Sequence, residues 1–90
     1  MGSEDFFREL NIIQDSIINV MLSQQNKYDS VDKIITDTTY EAIYRVLELI
    51  DGFGVNNTKY ELKNLNTGHI INEKKNMHDK CEEVLLHTDL

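Results

Sequence analysis

TTYEAIYRVLELIDGFG, residues Thr38 to Gly54, carries a start signal, an apolar stripe and a stop signal for one helix. Thr38 and Glu41 fit a capping box, in which the Thr38 hydroxyl accepts from the third helical N–H and Glu41 reaches back to the cap's own N–H. Tyr40, Ile43, Leu47 and Ile50 recur at steps of three and four, which places them on one face. Asp51-Gly52 closes the helix, because glycine enters the left-handed conformation at little steric cost. Phe53 then sits where an apolar side chain packs back onto Leu47 at such an end. This segment organises a core and contains no catalytic motif.

Upstream, Ser3 can cap a first helix over residues 4–22, with Glu4 and Asp5 near its positive end. Phe6, Leu10, Ile13, Ile17 and Met21 form its main stripe, with Val20 beside it. Phe7, Ile18 and Leu22 widen the apolar arc, although Asn11 and Gln14 interrupt that second edge. An arc this wide implies apolar neighbours on two sides of the helix. Residues 23–37 admit two readings. In one, Ser30 caps a short turn carrying Val31, Ile34 and Ile35, and the chain restarts after Thr36-Asp37. In the other, a helix from about Ser30 runs unbroken into the one after Thr38. The break is preferred, because Thr36, Asp37, Thr38 and Thr39 are poor residues for a helix interior.

Downstream of Gly54 the period changes from helical to alternating. Residues 59–63, KYELK, alternate as a half-buried strand does; Asn66-Thr67-Gly68 reads as a turn and His69-Ile70-Ile71-Asn72 as a returning strand. Asn76 can cap a last helix over 76–87, with Met77, Cys81, Val84 and Leu85 at helical spacing. The expectation is an α+β, mainly helical single domain over residues 1–90, in the order α, short α, α, β, β, α. Three main helices, about 4–22, 38–51 and 76–87, would pack on one face of a two-stranded hairpin at 58–72.

Sixteen acidic against nine basic residues give a formal charge of −7, which disfavours a nucleic-acid or anionic-membrane surface. Apolar residues at 40% and charged residues at 28% fit a globular chain. No apolar run reaches the roughly 18–20 residues of a membrane span, and no basic-then-apolar leader opens the chain. Met1-Gly2-Ser3 matches a myristoylation start only superficially, since Phe6 stands where Ser or Thr is required. The one cysteine rules out an internal disulfide framework, so a cytoplasmic location is expected. Abundant Ile and Asn, with no Pro or Trp, follow AT-rich codons.

The candidate chemistry is sparse. His78, Cys81 and Glu82 have spacing that could converge on zinc, but a site wants three or four ligands and His69 or His87 would have to be recruited. Cys81 also lies on the apolar stripe of its helix, where a thiol behaves as a small hydrophobe, and its acidic flank disfavours a thiolate. Ser30-Val31-Asp32-Lys33 matches the S-x-x-K of penicillin-recognising enzymes without any of that family's other motifs. Glu41, Arg45 and Glu48 read as a solvated face, and Asp51-Gly52-Phe53-Gly54 lacks the lysine of a phosphate loop. Tyr40 and Tyr44 read as rings buried with their hydroxyls at the rim. Gly54 has no evident role. No catalytic, cofactor or metal residue is assigned.

TTYEAIYRVLELIDGFG followed by YELKNLNTGHIIN, within roughly residues 35–75, resembles small conserved proteins of low-GC Gram-positive bacteria without an assigned activity. The resemblance implies a compact cytoplasmic domain with helices packed on a short hairpin. The functional expectation is a non-enzymatic protein-interaction module, self-associating as a homodimer through Phe7, Ile18 and Leu22 of the first helix. Two rivals are an acidic, phage- or mobile-element-encoded inhibitor of a basic host protein and a small zinc-dependent enzyme.

Overall fold

The helix containing Thr38 begins well before it. In the computed structural model, which describes residues 3–88, α2 spans Val31–Glu48 without interruption. Its cap is Ser30, whose hydroxyl accepts from the Lys33 N–H at 3.4 Å. The expected break at 36–39 is therefore corrected, and the capping box at Thr38 with it. Threonine hydroxyls disfavour helices when they draw backbone groups into other conformations. Here they bond back along the helix instead. Thr36 donates to Asp32 O at 2.8 Å, Thr38 to Ile34 O at 2.7 Å and Thr39 to Thr36 O at 2.9 Å.

α1 spans Ser3–Gln24, with Glu4 and Asp5 in its first turn. Met1 and Gly2 lie outside the described residues, as does the Ser3 side chain that was expected to cap α1. A 3₁₀ turn at Gln25–Lys27 leads into the α2 cap, so the two long helices run antiparallel as an αα-hairpin. Ile17 and Met21 of α1 are buried in the seam with Leu49, and Arg45 reaches across it to the Ser16 hydroxyl at 3.4 Å. The Tyr40–Ile50 stripe is only partly covered, and Ile43 is exposed.

Past Glu48 the helix widens into a π-type turn at Leu49–Phe53, and Gly52 takes φ +99°. The expected glycine stop is thus present. Phe53, however, stands with its ring 5.1 Å from that of His78 and stays largely exposed. Met77–Lys80 forms a 3₁₀ turn and Cys81–Val84 a single helical turn, α3, which replaces the longer helix expected over 76–87. Asn76 stands at its start without donating or accepting a side-chain cap bond.

The expected two-stranded hairpin is not formed. The described residues contain no β-strand, so the fold is mainly helical rather than α+β. One antiparallel bridge, Lys63 to Ile70, is what remains of it. The turn itself is in place: Asn64 N–H donates to His69 O at 2.8 Å, and Gly68, at φ +79°, donates to Asn64 O at 2.7 Å. The ladder stops because the Asn72 carboxamide takes the place of a further strand residue. Its Oδ1 accepts from Leu62 N–H at 3.0 Å and its Nδ2 donates to Tyr60 O at 2.8 Å. A ribbon with one bridge and residues 61–69 all exposed cannot sustain a sheet alone.

The molecule measures 44 × 28 × 19 Å, with a radius of gyration of 14.7 Å. A compact domain of this length has a radius near 12 Å. Its accessible surface is 6771 Å², against about 5400 Å² for a typical monomer of its mass. The helical hairpin is longer than the rest of the chain can cover.

Candidate functional site

Two arrangements stand out: a buried polar cluster at the end of α2 and an uncovered apolar flank on α1. The cluster centres on Asp51. Its Oδ2 accepts from the His78 backbone N–H at 3.1 Å and faces His78 Nδ1 at 2.8 Å. A carboxylate can only accept, so the ring proton on this side sits on Nδ1. Oδ1 accepts from Asn72 Nδ2 at 3.3 Å. Asp51, Asn72 and His78 are all buried. Edges and faces of Tyr44 and Phe53 hold the imidazole, with centroids 5.5 and 5.1 Å away. Its far nitrogen, Nε2, is faced by Asp79 Oδ1 at 3.5 Å.

This geometry is a fastener. Asp51 is the last buried group of the helical hairpin, and its partners come from the loop and from the turn before α3. The zinc reading built on His78, Cys81 and Glu82 does not assemble. His78 Nδ1 is engaged by Asp51, and the described residues contain no group of three or more His, Cys, Asp or Glu placed to hold an ion. Cys81 is buried beside the cluster; burial first, then the charges of Asp51 and Glu48, push its thiol pKa up.

A second polar tie fixes the far end. Asp37 Oδ1 accepts from Thr88 N–H at 2.7 Å, and Oδ2 accepts from the Thr88 hydroxyl and from Tyr28 OH, the latter at 2.7 Å. Burial raises the Asp37 pKa, but the bonds from Thr88 and Tyr28 and the nearby His87 outweigh it, and the net shift is downward. Burial, the bond to Asp37 and the charges of Asp37 and Glu41 push Tyr28 up to about 12.

The apolar flank is the one anticipated from sequence. Phe7, Ile18 and Leu22 are 64%, 48% and 59% exposed. They share one side of α1 with exposed Asn11 and Gln14, and exposed Asp15, within a turn of Asn11 and Ile18, is the one acid bordering the strip between Phe7 and Leu22. Ile18 also borders an apolar groove of about 340 Å³ between α1 and α2, lined by Leu10, Ile13, Ile17, Ala42 and Val46. Small side chains at Thr38 and Ala42 leave that groove open.

A second exposed apolar group was missed. Ile35 and Ile43 of α2 stand with Val84 and Leu86 around a groove of about 360 Å³. The steps of four from Val31 through Ile35 and Thr39 to Ile43 would have shown it, had the helix been read through Thr38. No helix among the described residues is long and apolar enough to cross a membrane. Comparison of the chain with protein-family models, with curated proteins and with solved structures gives no match.

Proposed function

We propose that this chain is a non-enzymatic, cytoplasmic protein-interaction module that self-associates through α1, with Phe7, Ile18 and Leu22 at the contact. The observation that carries this reading is the apolar strip on α1, set beside an apolar groove and left uncovered. Exposed apolar surface of this kind on a small domain marks a contact site. A second copy is the occupant favoured by charge. A chain of net −7 repels itself least where a face carries few charges, and this strip is bordered by one acid, Asp15, along four turns. An antiparallel two-fold about the middle of the strip sets Phe7 of one copy opposite Leu22 of the other and Gln14 opposite Asp15.

An acidic inhibitor would gather its carboxylates on one face. Here acids occur on every segment, and Asp5, Asp29, Glu41 and Glu83 are taken up in local ion pairs with Arg8, Lys33, Arg45 and Lys80. Sedimentation equilibrium tests the proposal. The wild-type chain is expected to dimerise at micromolar concentration, and Ile18→Glu to weaken the dimer at least about tenfold, since a carboxylate would be buried in the contact. Ile35→Glu, on the other apolar group, is expected to leave it unchanged. A monomeric wild type, or equal effects of the two substitutions, would refute the assignment.

A further inference from the structure

Glu9 is a charged residue at a buried position of α1, only 3% exposed. It lies three residues from Phe6 and four from Ile13, on the side of the helix turned inward. Its Oε1 accepts from the Asn56 N–H at 3.1 Å. Its Oε2 is buried and receives no donor from any described residue. The main chain makes room for this carboxylate: a Cβ on Gly54 would stand 2.5 Å from Oε1 and 2.7 Å from Leu49 Cδ1. That is the role of Gly54.

A buried carboxylate oxygen without a donor is costly, and the remedy is a hydrogen-bonding partner of opposite charge. The neighbouring cations are paired with other acids. Arg8 pairs with Asp5 at 3.7 Å, and Arg45 with Glu41 at 3.5 Å and with Ser16. Beside Glu9 opens a cleft of about 510 Å³, within the range of small-molecule sites. Ile12 and Val55 give it apolar walls, the paired Asp5 and Arg8 a rim of no net charge, Thr58 a polar edge, and Tyr60 an aromatic side. The Tyr60 ring is held edge-on by Phe6 at 5.3 Å.

We infer that this cleft binds a small organic cation bearing N–H donors, a primary ammonium or guanidinium group on an apolar body, with Glu9 Oε2 as its anchor. The ammonium N–H supplies the missing donor as a charge-assisted bond, the aromatic ring favours the positive charge, and Ile12 and Val55 cover the body. A metal ion fits less well, since the described residues bring no third His, Cys, Asp or Glu to Glu9 and Asp5. Glu9, Asp5 and Ile12 project from the opposite side of α1 to Phe7, Ile18 and Leu22, so the site is independent of self-association.

The test is an amide chemical-shift titration of the intact chain with butylammonium and butylguanidinium chloride. Tetramethylammonium chloride, a cation without N–H donors, and sodium chloride serve as controls. The expected result is saturable shifts at Asn56 and Tyr60 with the two N–H-bearing cations alone, weakened at least about tenfold in Glu9→Gln. Equal responses to butylammonium and tetramethylammonium, shifts that follow sodium chloride, or undiminished binding by a folded Glu9→Gln would overturn the inference. Should Glu9→Gln fail to fold, the wild-type comparison of the two ammonium ions decides alone.

Discussion

Asp51 shows how much of this molecule rests on single side chains. Its carboxylate takes bonds from groups 21 and 27 residues further along the chain. Asp51→Asn preserves the shape but turns an amide N–H₂ toward donors that need an acceptor. The expected cost is about 2–4 kcal/mol, read as a lower urea midpoint at unchanged slope. From sequence, Asp51 was legible only as the residue before a helix-ending glycine. Nothing local in DGFG signals a partner at Asn72 or His78, because hydrogen bonds between distant segments leave no periodicity. Glu9 was more readable than it was read. An acid between Phe6 and Ile13 on an inward stripe is the trace of a buried carboxylate.

Among the elements, α1 and the glycine stop at Gly52 followed from spacing and backbone chemistry, and both are present in the structure. α2 exceeded its expected length because tertiary ties override weak intrinsic preference. Asp37, a poor interior residue by propensity, holds both Tyr28 and Thr88 on its carboxylate. That tie has a pH signature. The Tyr28 pKa is raised from 10.0 to about 12 in the folded chain, so its contribution is fully present below pH 10. It fades as pH climbs through about 12, where the folded form loses the proton. Tyrosinate absorbance should therefore show a late-titrating ring that Tyr28→Phe removes, and the variant's stability should fall less steeply over the same interval. The hairpin failed for a related reason. The turn at Asn66-Thr67-Gly68 is present, but the half-buried strands expected on either side are not, and the Asn72 side chain satisfies the backbone groups that a second pair of strand residues would have used.

At the scale of the whole molecule, composition bounded the class of object and left its coverage open. The two long helices form one hairpin, while the described residues after Gly54 follow in short pieces tied to it by polar groups. The apolar surface left over on α1 is where self-association is proposed, and no count of hydrophobic residues distinguishes covered from uncovered positions. The Asp51 fastener has one more consequence, which concerns how the fold opens. A segment held by the Asp51 cluster, by the Asp37–Thr88 tie and by few buried apolar side chains detaches as a cooperative unit, at a lower free energy than the hairpin beneath it. Native-state hydrogen exchange should then separate into two tiers, with amides of Tyr60, Ile71 and Leu85 exchanging together and ahead of those in the α1–α2 seam. In Asp51→Asn the lower tier should drop toward unprotected rates while the upper tier keeps its protection relative to global unfolding. The protein would then be a stable helical hairpin carrying a detachable flap.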